Sequence, residues 1–429
     1  MNAQVVSKTS KSVVIQIEVK FSDSMLQMEQ HIQEVLNDAG NIATMEGLKR
    51  FDTTGGPIVL GNVKFTSKGQ LPKEYQTPYG TVNIERHVYQ APDGGKTFCP
   101  LENNAHIIIK ATPRFAKMAS SKYSFFGGPN VCRDFESNHQ RKVVLSTIQD
   151  LSNMVGSIAL ATEEKWSYAT PKLDVSIETI SLGLDGTSML MCEDGWRMAM
   201  TGTISLYDEL GKRHHTIYIG ATPEYGKTTF YERFEREILH VKELYPAAMY
   251  VGLADGAIDN WSFLERHTER QTLDFYHVTE YLAEAAKGIF GKKEEVSRKI
   301  WLSNACHKLK HNKTGPGFLL KEMRDYLKEK KLTVERQQKV EKAVTYFKNN
   351  KHLMNYSENV ELNLPIGSGV TEAACKVIIK ERLCCSGMRW KEEGAAAVIA
   401  LRCLNKSTGR WAQFWEKIDR YGVPEINVH

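Results

Sequence analysis

The chain has 429 residues, 41% of them hydrophobic and 25% charged, and its 56 Lys/Arg against 51 Asp/Glu give a formal net charge of +5. A chain of this length exceeds one compact core and is expected to form about two to four structural units, with the composition of a globular protein. No apolar run approaches the roughly 20 residues that cross a bilayer as a helix, so no membrane-spanning helix is expected.

The opening stretch, MNAQVVSKTSKSVVIQIEVKF, has no signal-peptide core with a small-residue cleavage site, so a cytoplasmic protein is expected. None of the eight cysteines forms a CxxC pair, which argues against a zinc ribbon or a disulfide framework. Residues 1–52 read as one strand, SVVIQIEVKF, then an amphipathic helix, SMLQMEQHIQEVLNDAG, ended by Gly40. This α/β element is expected to serve dimerisation or docking. Residues 53–111 change to short alternating stretches broken by Gly and Pro, a β-rich segment with a hairpin signal at Pro92-Asp93-Gly94-Gly95. Over 112–170 the helical period returns in TPRFAKMASSKYSF, NVCRDFESNHQ and KVVLSTIQDLSNMVGSIALATEEKW. Such a triple suits a helix-turn-helix-like DNA-binding domain with Arg133, Arg141 and Lys142 available to a phosphate backbone, although plain helical triples share the pattern.

Residues 171–282 are more specific. ETISLGLDGTSMLM reads as an apolar strand, and WRMAMTGTISLYDELGKRHHTIYIGAT as two more joined by a turn at Glu209–Lys212. An amphipathic helix, EYGKTTFYERFEREILHVKELY, is followed by a strand in AAMYVGLADGAIDNWSFLERH that enters a helix, and by a short strand and helix in QTLDFYHVTEYLAEAAKGIF. The order β-β-β-α-β-α-β-α is that of a ribonuclease H-like mixed sheet, in which three antiparallel strands precede parallel ones. The expected fold class is therefore α/β, with this core over 171–282 and again over 361–408. Residues 283–360 are expected to be a basic, all-helical insertion and 409–429 a C-terminal tail.

Charge is uneven along the chain. Between Lys287 and Lys351 stand 18 Lys/Arg against 7 Asp/Glu, a net of +11, which leaves −6 for the remainder. A basic block in an otherwise mildly acidic chain points to a polyanion such as nucleic acid, with Lys308 and Lys310 as contacts, or to a solvated helical face. The stretch ACHKLKHNK also brings Cys306, His307 and His311 together, but no matching half-site occurs elsewhere, so no metal is expected there.

Asp185 interrupts the apolar run SLGLDGTSMLM, where a buried carboxylate costs several kcal/mol unless paired or metal-bound. Asp-Gly is also a turn signal, but the run continues apolar beyond it. Asp255 closes a strand, where ligands gather in open α/β sheets. Glu372 stands in the first turn of the helix that follows Gly367-Ser368-Gly369, with Lys376 and Lys380 at four-residue steps on the same face. An acid there also suits the helix dipole. Together, two strand-borne Asp and one helix-borne Glu can converge on two divalent cations about 3.5–4 Å apart. Oxygen ligands suit Mg²⁺ or Mn²⁺, and such a pair activates a water or a DNA 3′-hydroxyl.

The phrases LGLDGTSM, LADGAIDNW, LDFYHVTEYL and PIGSGVTEAACKVIIKERLCCSGMRW, in that order, resemble the DDE transposases of bacterial insertion sequences, closest to the Kra-type family. TPYGTVNIERHVYQ, CPLENNAHIIIKATPRFAK and FESNHQRKVV are similar in kind, so the likeness covers most of residues 75–405. The resemblance implies that Asp185, Asp255 and Glu372 are the catalytic, metal-binding acids, with two Mg²⁺ or Mn²⁺ ions. It implies accessory roles for Asp274 and His277 in DFYH, either orienting DNA or water or fixing a strand–helix junction. It also implies an all-helical insertion among the 116 residues between Asp255 and Glu372, and Arg389 and Trp390 match the family wording as DNA contacts, although core packing is the commoner fate of such a Trp. Lys376 and Lys380 are expected as further DNA contacts. The activity implied is cleavage at element ends and strand transfer into target DNA. The partners implied are double-stranded terminal repeats and target, bound by at least a dimer associated with the nucleoid. A nuclease of the same fold without strand transfer, and an inactive DNA-binding derivative, are the alternatives. Unlike many members of that family, this chain lacks an N-terminal Cys-rich segment.

Overall fold

The first 169 residues of the computed structural model form one compact unit together with residues 391–405 and 409–429, and residues 170–390 with 406–408 form a second. Residues 3–92, 94–291, 293–329 and 331–425 are described. The protein is mixed α/β, and among the described residues no helix is long and apolar enough to cross a membrane.

In the first unit β1 (Ala3–Lys8) and β2 (Val13–Ile17) form an antiparallel hairpin, closed by Thr9 N–H donating to Ser12 O at 2.8 Å. The single strand expected over 12–21 is thus a shorter strand with a partner. Helix α1 (Met25–Lys49), capped by Ser24, does not stop at Gly40. Gly40 lies against the Tyr79 ring, where a Cβ would stand 2.4 Å from Cγ, so its missing side chain serves close packing within the helix. Strands β3 (Ile58–Leu60), β4 (Val63–Gln76), β5 (Thr81–Ala91) and β6 (Gly94–Phe98) form an antiparallel sheet in that order. The β5–β6 hairpin falls at the expected turn, of which Asp93 lies outside the described residues. Short helix α2 (Pro100–Asn104) supplies Leu101 to a core with Leu48, Tyr75, Val82 and Ile84.

Helices α3 (Pro113–Phe125), α4 (Gly128–His139) and α5 (Leu145–Thr162) follow, and each of the first two starts with Pro in its first turn. Between the last two lies Arg141, expected to meet DNA. It is instead 3% exposed, with Nε donating to Thr77 O at 2.6 Å, Nη2 to Gln76 Oε1 at 2.7 Å, and its guanidinium 4.3 Å over Phe115. Burial pulls its pKa down to about 10, so it stays charged while tying the β4–β5 turn to the helices.

The second unit is built on a five-stranded sheet. Strands β7 (Thr179–Met191), β8 (Gly195–Tyr207) and β9 (Arg213–Ala221) are antiparallel neighbours. After α6 (Thr228–Leu244), β10 (Met249–Ala254) pairs parallel with β7, and after α7 (Ile258–Leu264), β11 (Arg270–Leu273) pairs parallel with β10. The sheet order is β11-β10-β7-β8-β9. Strand alternation sends Ile180, Leu182 and Leu184 into one core with Phe230, Phe234, Ile238 and Val241 of α6. The opposite face is polar: Ser181, Gly183 and Asp185 of β7 stand across from Ser205, Thr203 and Thr201 of β8.

Helix α8 (Phe275–Ile289) leads into α9 (Glu295–His311), α10 (Gly315–Glu329), α11 (Val334–Asn350) and α12 (Tyr356–Glu361). These basic helices share the main core through Trp301, Leu309, Leu319, Met323, Val340 and Phe347. Arg336 of α11 caps α8, donating to Gly288 O and Ile289 O at 2.8 Å each, and a Cβ at Gly288 would stand 2.5 Å from Arg336 O. The helix carrying Glu372 comes in three parts: α13 (Gly369–Ala374), a π-helical turn (Cys375–Lys380) and α14 (Glu381–Leu383).

Helices α15 (Glu392–Lys406) and α16 (Arg410–Tyr421) close the chain. Gly156 of α5 admits α15, since a Cβ there would lie 2.5 Å from Ala397 Cβ, and Arg402 donates to Ser124 O at 2.6 Å. The expected C-terminal tail is a packed helix: Phe414, Trp415 and Ile418 are buried on one stripe, and Phe414 meets Trp166 edge-on at 5.8 Å. Its aromatic residues recur at helical spacing, a signal the reading as a tail passed over.

Arg141→Ala strands the Thr77 carbonyl and Gln76 and is expected to destabilise the first unit by about 2–4 kcal/mol. Arg141→Lys recovers little, because an ammonium lacks the planar fork. Arg133→Ala, at an exposed position, changes urea unfolding by about 0.5 kcal/mol or less.

Candidate active site

Asp185 ends the apolar half of β7 on the polar face of the sheet, half-buried. Its Oδ1 accepts the Gly186 N–H at 2.7 Å, and its Oδ2 accepts the Cys375 thiol at 3.2 Å. Burial raises its carboxyl above the ordinary range against these two hydrogen bonds, and the charge of Asp255 raises it further.

Register explains that proximity. β10 pairs Leu253 with Gly183 of β7 and Ala254 with Leu273 of β11. One residue further, Asp255 continues the same rows toward Asp185 on one side and Asp274 on the other. Asp255 and Asp274 therefore directly follow the C-terminal ends of β10 and β11, the side of an α/β sheet on which ligands gather, and Asp185 lies midway along β7, just past its last pair with β10. Asp255 is exposed, with Oδ1 accepting from Ala257 N–H at 3.3 Å and its carbonyl from the Tyr346 hydroxyl at 3.1 Å.

Glu372 is delivered by close docking. Gly183 lies under α13, where a Cβ would stand 1.9 Å from Thr371 Oγ1, and that hydroxyl is 2.8 Å from Thr203 Oγ1. Four residues on, Cys375 Sγ lies 2.9 Å from Thr201 Oγ1 as well as against Asp185. Thr371 and Cys375 thus face the sheet at i, i+4, and Glu372 projects from an adjoining, open side of the helix. Its carboxyl is raised by loss of solvent first, then by the charge and hydrogen bond of Asp274, and by Asp185. Burial, with the neighbouring Asp185 charge, pushes the Cys375 thiol up to about 12. It is a neutral donor at physiological pH. The π-helical turn starts at Cys375 itself, and such turns gather at functional sites.

Asp274 is 1% exposed and caps α8: Oδ1 accepts Tyr276 N–H at 3.2 Å and Ser368 N–H at 2.9 Å, and Oδ2 accepts His277 N–H at 3.2 Å. It therefore fixes the strand–helix junction and also holds the Gly367-Ser368-Gly369 turn from which Glu372 starts. Gly367 is needed there, because a Cβ would lie 2.9 Å from the Tyr276 ring. The His277 ring turns away from Asp274, toward Glu280 at 3.6 Å and the rings of Tyr281 and Tyr346 at 5.4 and 5.9 Å. Tyr281 and Tyr346 stack at 3.8 Å along a cleft of about 470 Å³ lined also by Gln338, Lys342 and Asn349.

The expected DNA contacts divide. Lys376, Lys380 and Arg389 are exposed in the second unit, and Arg133 and Lys142 in the first, where Lys142 pairs with Glu136 at 3.6 Å. Lys308 is exposed beside Glu322 at 3.7 Å, and Lys310 is half-buried. Trp390 is not a free stacking platform. Its indole N–H donates to Leu383 O at 2.9 Å, Arg382 lies 5.1 Å over its ring, and its backbone pairs with Leu190 and Cys192. The tethered, half-buried ring and the join to the end of β7 take the place of a free, exposed indole.

Asp185, Asp255 and Glu372 share one neighbourhood. Among the described residues, however, no three His, Cys, Asp or Glu side chains are gathered closely enough to grip one ion, His307 and His311 included. The donor set still suits a hard divalent cation: the ligating atoms are carboxylate oxygens, and burial first, then neighbouring carboxylates, raise Asp185 and Glu372, a cost that a bound cation would offset. Cys375, Thr371, Gly183 and Tyr346 escaped sequence reasoning. The usable signal was a Gly two residues before Asp185, on its face of the strand, and Thr and Cys flanking Glu372 at helical spacing. Compared with protein-family models and with curated proteins, the chain matches none.

Gly183→Ala forces α13 off the sheet and is expected to cost about 1–3 kcal/mol of stability. Paired with Thr371→Ala, which removes the clashing hydroxyl, it should cost less than the sum of the single changes in a double-mutant cycle of chemical denaturation.

Proposed function

We propose that this protein is a DDE-type DNA transposase with a ribonuclease H-like catalytic core. The observation that carries the reading is the row of Asp185 and Asp255 on adjacent parallel strands, faced by the helix of Glu372. Three antiparallel strands followed by two parallel ones support the fold reading, and the quoted sequence phrases support the family. On this reading Asp185, Asp255 and Glu372 hold Mg²⁺ or Mn²⁺, with Asp274 keeping the Glu372 turn in place. The ions, when bound, supply Lewis-acid activation of a water or 3′-hydroxyl and stabilise the leaving oxygen. Lys376, Lys380 and Arg389 would neutralise phosphates beside the acids, and the exposed lysines of α9–α11 would extend that field along a duplex. Helices α3–α5, with Arg133 and Lys142, are read as a helix-turn-helix-like domain for terminal repeats. Pairing two DNA ends calls for at least a dimer, working on the nucleoid.

A supercoiled plasmid bearing both ends of the DNA segment that encodes the protein, incubated with purified protein and Mg²⁺ or Mn²⁺, tests this. Cleavage at those ends with joined products is expected. Asp185→Asn and Glu372→Gln should lower it by on the order of 10³-fold or more, since a lost ligand removes several kcal/mol of charge stabilisation. Cleavage that never yields joined products would make the protein a nuclease. Binding without cleavage, alike in all three proteins, would remove catalysis altogether.

A further inference from the structure

Cys375 is 3% exposed, and its sulfur lies between β7, β8 and the Glu372 helix, 2.9 Å from Thr201 Oγ1 and 3.2 Å from Asp185 Oδ2. Thr201 stands directly across the β7–β8 ladder from Asp185, and its hydroxyl also reaches Asp185 O at 3.3 Å. With S–H donating to Oδ2, the single Thr201 hydroxyl proton is shared between Sγ, the nearer acceptor, and Asp185 O. At the other oxygen, the Gly186 N–H takes Oδ1. Both carboxylate oxygens of Asp185 are therefore held by neutral donors, which sets the plane of the group while leaving each oxygen a further lone pair.

A packing role alone does not call for this. A Val would fill the space of the sulfur with carbon, yet would leave Oδ2 of a half-buried carboxylate without its donor. A Lys or Arg would hold it more strongly, but would bring its own positive charge into competition with a bound cation. A thiol, a weak and uncharged donor, orients without neutralising. Thr371 anchors the same helix one turn earlier by its bond to Thr203, so the sulfur is not its only anchor to the sheet.

We infer that Cys375 is a positioning residue: its thiol, backed by Thr201, holds the Asp185 carboxylate in the orientation that receives a divalent cation. The inference rests on the proposed role of Asp185 as a metal-binding acid, and it predicts an effect on cation affinity apart from any effect on folding.

The experiment is titration of the purified full-length protein with Mn²⁺ alone, by calorimetry and by loss of the free-ion electron paramagnetic resonance signal. Wild type, Cys375→Ser, Cys375→Ala, Thr201→Val and Asp185→Asn are compared, each with its melting temperature measured without metal. Cys375→Ala should weaken Mn²⁺ binding about 10- to 100-fold, as removal of a ligand's hydrogen-bond partner does. Cys375→Ser, which keeps a donor, should stay within about threefold of wild type. Thr201→Val, which leaves the sulfur in place, should weaken binding by a smaller factor, and it serves if Cys375→Ala does not fold. Equal Mn²⁺ affinity in wild type, Cys375→Ala and Thr201→Val, with Asp185→Asn impaired, would overturn the inference and leave the acids' role standing. Wild-type binding no better than that of Asp185→Asn would overturn the role of Asp185 and the inference with it.

Discussion

The close approach of α13 to the polar face of β7 and β8 is the contact on which the rest of the candidate site depends. Gly183 makes it possible, because any side chain there would collide with Thr371. Once the backbones are this near, short polar side chains are the ones that fit, and Thr203–Thr371 and Thr201–Cys375 satisfy one another. Buried hydroxyls and thiols paired in this way cost little, whereas any one of them alone would be expensive. The helix is thereby fixed in register, and Glu372 is set beside Asp185 and Asp274.

Asp274 works at the same site from the other side. A buried carboxylate accepting three backbone N–H groups is well compensated, and two of its three donors belong to α8 while the third begins the Glu372 turn. Strand β11, helix α8 and helix α13 meet at one side chain. Burial first, and then the crowding of carboxylates, raises Asp185 and Glu372, and relief of that cost by cations is the physical basis of the proposed chemistry.

Positive charge on this protein serves two purposes that sequence alone does not separate. Arg141, Arg336 and Arg402 donate to backbone carbonyls and hold turns and helix ends together. Lys376, Lys380 and Arg389 are exposed to solvent or a polyanion, whereas Lys308, also exposed, lies beside Glu322. Arg suits the first role because its planar fork satisfies two acceptors at once, and Lys the second because its charge rides on a flexible stem.

Local periodicity was enough to read the strands over 178–221, the alternation of helix and strand up to Ile289, and the helical nature of the basic block. Each depends on residues close in sequence. The positions of the three candidate acids were legible for the same reason, since Asp185 breaks an apolar strand, Asp255 follows one and Glu372 opens a helix. The passage of α1 through Gly40, the burial of Arg141, the tethering of Trp390 and the packing of α16 were decided by tertiary structure alone. So was the meeting of Cys375 with Asp185, across 190 residues of chain. In each case the outcome is set by which distant surface the side chain, or its absence, confronts, and no local pattern carries that information.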